Sequence, residues 1–290
     1  MKKIRIFSII IFAVSLLLYA FFQLKHARID DRIAPRISMS SDTIEISVED
    51  DEEKMLEGVT ASDSNDGDVS DTLIIESMGQ FLSPGRRNVT VAAFDSSSNV
   101  AKQTRQVIYT DYSSPKFTLT EPLMFPLNTT NILENMTASD VLDGDITGQI
   151  KVSTSSYIDV TVADNYDTII TVTNTAGDTV KLPCTVTIYD NSSMGGAPQF
   201  ELSDYLIYTA AGNGVNPWSY VTGLSMNGIH YEKGQDGNLY SPDGSQMIEK
   251  SEISIKGEVD TNTPGTYEYS YKVTDNNNRT GRVRLIVVVQ

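Results

Sequence analysis

Two stretches of this 290-residue chain, LEGVTASDSNDGD from Leu56 to Asp68 and LENMTASDVLDGD from Leu133 to Asp145, write one acidic phrase twice. An internal repeat on this scale limits the chain to a tandem array, in which each copy closes its own small core. Proline marks a similar period. Pro35, Pro115 and Pro198 stand in APRI, SPKF and APQF, each behind a short polar stretch and at nearly even spacing. A residue with fixed φ and no amide hydrogen suits the first position of an edge strand just after a linker.

The far ends of the copies match as well. PGRRNVTVAAFDSSSNVAKQTRQVIY begins at Pro84, and PGTYEYSYKVTDNNNRTGRVRLIVVV begins at Pro264. Between them, TIITVTNTAGDTVKLPCTVTIY places Asn174 where the other two have Asp95 and Asp275. Each stretch reads as an alternating strand, a polar turn and a second strand. Tyr267, Tyr269, Tyr271 and Val273 share one face, with Glu268, Ser270 and Lys272 opposite. The turns that open at Asp95, Asn174 and Asp275 predict a closing hairpin for each module.

Val, Ile, Thr, Tyr and Ser crowd the sequence, which favours strands over helices. Copies of this length with short strands and frequent turns predict an all-β chain of three tandem Ig-like β-sandwich domains behind one N-terminal transmembrane helix. The expected boundaries are 1–32 for tail, anchor and juxtamembrane linker, then 33–111, 112–191 and 192–290 for the sandwiches. A Pro-led strand, the LEGVTASD–DGD phrase, an alternating strand after Pro-Gly and a polar turn together resemble bacterial immunoglobulin-like surface repeats. That group includes hyalin-type repeats and the Ig-like modules of some crystal toxins. The resemblance runs from Ile33 to Gln290. It is strongest in the first module and in the final hairpin of the third. The second module lacks the Pro-Gly, and the third lacks the acidic phrase in its usual place. What the resemblance implies is a seven-stranded Greek-key sandwich used in adhesins or as spacers on cell surfaces, with no single activity attached.

The first residues predict where the array sits. Lys2, Lys3 and Arg5 precede an uncharged, largely apolar run from Ile6 to Leu24. At about 1.5 Å of helical rise per residue, this run reaches across the roughly 30 Å hydrocarbon core. A cleaved signal peptide is the rival, but Leu18 and the following Phe21 and Phe22 do not form a small-residue cleavage site. The expectation is an uncleaved single-pass anchor in the lipid bilayer, with the C-terminal domains outside the cell membrane. The single cysteine, Cys184, excludes an intramolecular disulfide and a Cys-based zinc site. It falls on the inward period of Val180, Leu182, Val186 and Ile188, so it is predicted to be core.

Enzymatic chemistry finds no support. With two histidines, no P-loop and no GxGxxG, the chain offers no His-based triad, zinc site or dinucleotide loop. Paired carboxylates in a short polar loop lack the burial that glycosidase acids need. A net charge of −16 and the absence of Lys/Arg clusters exclude a nucleic-acid surface. Calcium is the one cofactor the carboxylates raise, with Asp63, Asp66, Asp68 and Asp95 in the first module and Asp140, Asp143 and Asp145 in the second as ligands. The competing reading makes these residues turn formers, their side chains bonding backbone amides around Gly67 and Gly144.

The third module departs from the repeat between Leu202 and Glu258, and it holds the sole tryptophan. Trp218, Tyr220, Tyr231 and Tyr240 lie among turn residues, and aromatic loop residues serve recognition well. Trp218 can equally plug the sandwich core, as a Trp does in Ig folds. Two functions are therefore expected. One is adhesion to, or recognition of, a surface glycan or protein by the distal module. The other is a spacer with no ligand of its own.

Overall fold

The computed structural model describes residues 2–29, 31–194 and 196–290, with first-helix side chains described from Ser8 to Gln23. Lys2–Ile29 is one α-helix. Its described apolar side chains point outward, with Phe12 68% and Leu17 70% exposed. Among the described residues no helix is long and apolar enough to cross a membrane. The predicted span from Ile6 to Leu24 extends beyond the described side chains.

The remainder is all β, divided into compact units Met1–Tyr112 and Ser113–Gln290. The first unit packs a sheet of Arg36–Met39, Val59–Asp63 and Gly67–Asp68 against one of Thr43–Ile46, Val100–Tyr109, Arg86–Phe94 and Ile74–Ser83. Thr43–Ile46 runs parallel to Val100–Tyr109, while the other pairs are antiparallel. Alternation decides which residues face inward. Val89, Val91 and Ala93 are wholly buried on one face of their strand.

The second unit repeats this plan in residues 116–189. Lys116–Leu119, Met136–Asp140 and Gly144–Asp145 form one sheet, and Lys151–Val152, Asp164–Thr173, Thr179–Tyr189 and Met124–Pro126 form the other. Three strands and four reproduce the seven that the resemblance implies. In residues 199–289 the smaller sheet grows to five strands: Gln199–Leu202, Val221–Met226, Ile229–Lys233, Leu239–Tyr240 and Met247–Ile248. The hairpin of Val221–Met226 and Ile229–Lys233 stands in the place of the acidic phrase, and the two further strands add to the length of this module. Its second sheet holds Leu206–Thr209, Thr280–Val289, Gly265–Thr274 and Ser254–Lys256. The three closing turns share one backbone solution. Ser98, Gly177 and Asn278 take φ of 67°, 86° and 60° at matching positions.

Within the second unit the two sheet pairs share apolar contacts. Leu206 and Ile286 of the last module are buried in the cluster built on Phe117, Phe125, Ile170 and Leu182. Each such side chain stabilises by roughly 1.5–3 kcal/mol when removed from water. Polar contacts fix the orientation. The Thr185 amide donates to Glu268 Oε1 at 2.7 Å, and Arg284 Nη1 donates to Thr187 Oγ1 at 2.8 Å. The Phe117 amide donates to the Tyr208 hydroxyl at 2.8 Å.

Cys184 lies on the buried face of Thr179–Tyr189, as its period predicts. Burial pushes its thiol pKa up to about 12. The native protein should therefore leave Cys184 unlabelled by a thiol reagent at pH 8, and full labelling should appear only on unfolding. Rapid native labelling would contradict this packing.

Candidate functional sites: an acidic cluster and an inter-module cleft

The repeated phrase folds into a tight hairpin. Asp63 pairs with Gly67 across it, and Gly67 takes φ of 78° with nothing near the position of a Cβ. Glycine is needed there for backbone conformation alone. Asp63 Oδ1 accepts the amides of Asn65 at 2.7 Å and Asp66 at 3.1 Å. Those amides hold the Asp63 carboxyl below its ordinary pKa. Asp66 turns away and grips Ser96, accepting from its amide and hydroxyl at 2.8 and 2.9 Å. Asp68 accepts from the Ser70 hydroxyl and amide at 2.6 and 3.0 Å, which lowers its pKa. The turn role thus accounts for Asp66 and Asp68.

Asp63 and Asp95 have a further association. Each is 8% exposed, and each turns a carboxylate oxygen to within 4.8 Å of the other and of one from Asp31. Of the expected first-module ligands, the fold brings together Asp63 and Asp95 and supplies Asp31 in place of Asp66 and Asp68. In the second module Asp143 grips Thr175 as Asp66 grips Ser96, and Asp145 accepts from the Thr147 amide at 2.9 Å. Asp140 meets the Asn174 side-chain amide at 3.2 Å. Among the described residues, no second carboxylate cluster forms there.

The expected aromatic surface of the third module is largely inside. Trp218 and Tyr231 are 6% and 3% exposed, within a core that includes Leu224, Leu239, Tyr271 and Leu285. Asn216 caps the short 3₁₀ turn Pro217–Tyr220, accepting from the Trp218 amide at 3.2 Å, and the indole donates to the Gly237 carbonyl at 3.2 Å. Lys233 and Lys250 cover the ring, with their ammonium groups 6.0 and 5.4 Å from its centroid. Tyr231 is drawn in because Ile229–Lys233 is a strand, and its hydroxyl donates to Gln246 Oε1 at 2.8 Å. Tyr220 is half-buried against the same core. Tyr240 is half-buried, and its hydroxyl donates to Asp236 Oδ2 at 2.6 Å, a bond that raises its pKa. The four rings therefore do not form one exposed platform.

One concavity among the described residues lies between the two sheet pairs of the second unit. It has a volume of about 640 Å³ and is lined by Glu121, Tyr189, Gln199, Glu201, Tyr205 and Arg282, among others. Tyr205 packs on both cores and lines the cleft. No pattern in the sequence joins Glu121 to Arg282, because only the packing of the two modules makes them neighbours.

Residues 226–288 match the family described as bacterial surface protein, Ig-like domain. No curated protein matches the sequence. Similar solved structures include CBM51-2 in complex with GlcNAc and INT domains from Clostridium perfringens ZmpB, at 16% identity and TM-score 0.22 over 51% of this chain and 26% of that one. The lipoprotein BT2262 from Bacteroides thetaiotaomicron is 13% identical, with TM-score 0.22, 59% of this chain and 98% of that one. Mouse cadherin-23 EC22-24 is 14% identical, with TM-score 0.19, 89% of this chain and 99% of that one. The chain thus spans about a quarter of the ZmpB structure. Residues 226–288 belong to the bacterial surface Ig-like domains, the family that the repeats of this chain resemble.

Proposed function

We propose that this chain is a bacterial surface protein of adhesion type, tethered by its N-terminal helix with its sandwiches outside the cell. In this reading it contacts a glycan through the cleft between its last two modules. The observation that carries it is the surface Ig-like match over residues 226–288, on the module that departs from the repeat. Clefts at domain junctions are favoured ligand sites. This one offers carboxylates and a guanidinium to sugar hydroxyls, beside Tyr189 and Tyr205. The anchor rests on the apolar run from Ile6 to Leu24 and its basic flank.

The spacer reading is favoured by a separate observation, the burial of Trp218 and Tyr231. Cells carrying and lacking the chain separate the two. Carriers should adhere to glycan-coated beads and present the sandwiches to external protease, with the full-length chain retained in carbonate-washed membranes. Equal adherence by both strains, with the chain exposed, would leave the spacer reading standing. A soluble species beginning near Phe21 would replace the anchor with a signal peptide.

A further inference from the structure

The three modules treat one position differently. In the first two, an aspartate at the end of the phrase strand accepts two turn amides through Oδ1. The distances are 2.7 and 3.1 Å for Asp63 and 2.8 and 3.1 Å for Asp140. The residue facing it across the sandwich end is Asp95 in the first module and Asn174 in the second. In the second, the Asn174 amide donates to Asp140 Oδ2 at 3.2 Å, so the carboxylate is satisfied by protein. In the third, Asp275 is satisfied by Arg279, whose Nη2 lies 2.7 Å from it and also donates to Asn227.

The first module has neither device. Asp95 Oδ2 accepts from Asn99 Nδ2 at 2.7 Å, but Asp63 Oδ2 and Asp31 Oδ2 are buried with no hydrogen-bond partner. Among the described residues, none of the three makes an ion pair. Three clustered carboxylates, with Asp63 only 8% exposed and one of its oxygens orphaned, repel one another unless a cation joins them. We propose that Asp31, Asp63 and Asp95 bind a divalent cation, which ties the linker at Asp31 to the first sandwich. Calcium is the ion that fits. The donors are all oxygen and come from three separate segments, a flexible arrangement that suits its variable coordination better than the strict octahedron of magnesium. No His or Cys is present to favour zinc or copper.

The test is calcium titration of the chelator-stripped full chain in detergent micelles, followed by calorimetry and melting temperature. One saturable event is expected with Kd on the order of 10⁻⁴–10⁻³ M, accompanied by a rise in the melting temperature of the first unit. Asp95→Asn copies the amide arrangement of the second module, so it should fold while weakening calcium binding at least tenfold. Asp31→Asn, in a linker outside any strand, should do the same without touching the core. Asp143→Asn should leave binding unchanged. Absence of saturable binding in the wild type up to about 10 mM, beyond the range of extracellular calcium sites, would overturn the proposal. Full binding retained by either Asp31→Asn or Asp95→Asn would overturn it as well.

Discussion

Replacing Trp218 with Ala is expected to destabilise the last module by about 3–5 kcal/mol, the range for removing a large buried aromatic side chain. The ring fills the space beside Leu224, Leu239 and Tyr271 and is 6% exposed. Its loss would also leave the Gly237 carbonyl without the indole donor and remove the surface that Lys233 and Lys250 cover. Trp218→Phe, which keeps most of the apolar volume and loses the hydrogen bond, should cost markedly less. Chemical denaturation followed by far-UV circular dichroism measures both. A loss under about 1 kcal/mol for Trp218→Ala would match a surface residue rather than a core one.

Ile286→Ala is expected to cost about 2–5 kcal/mol and to weaken two modules at once. Ile286 stands on Thr280–Val289 of the last module, yet its side chain is buried in the core around Phe117 and Leu182. Two natural reporters separate the modules. Cys184 sits in the core of the second and Trp218 in that of the third. In the wild type, thiol exposure and tryptophan fluorescence should change at the same denaturant concentration, as one cooperative unit requires. In Ile286→Ala both midpoints should fall. Two well-separated transitions in the wild type would show that residues 113–290 unfold as independent modules.

The strands and closing turns were legible because their signals are local. Alternation in Tyr271–Thr274 and Val180–Ile188 follows the two-residue period, while Tyr267 to Ser270 are half-buried on both faces because Glu268 meets Thr185, and the turns fall at Asp95, Asn174 and Asp275 as expected. The same logic placed Cys184 correctly. Tyr231 was harder to place. Gly228, Gly234 and Gly237 around it mimic a loop, while Ile229–Lys233 is a strand too short for its alternation to stand out.

The contribution of Ile286 to a second core did have a signal. Leu285 to Val289 is an unbroken apolar run, which marks a strand covered on both faces. Asp31 had none, because a linker residue carries no period. Its partners Asp63 and Asp95 stand far along the chain and meet it only when the sandwich closes. The inter-module cleft was hidden for the same reason, since Glu121 and Arg282 become neighbours through packing alone.

Binding of the purified full chain to an array of immobilised glycans, compared with a Glu121→Ala/Arg282→Ala double variant, tests the adhesion account most directly. Both side chains are exposed and outside the cores, so the variant should keep its melting temperature. The wild type should bind a defined set of glycans, and the double variant should lose at least tenfold in affinity for that set, about 1.4 kcal/mol. Equal binding by the two proteins, or no binding to any glycan by a folded wild type, would contradict it.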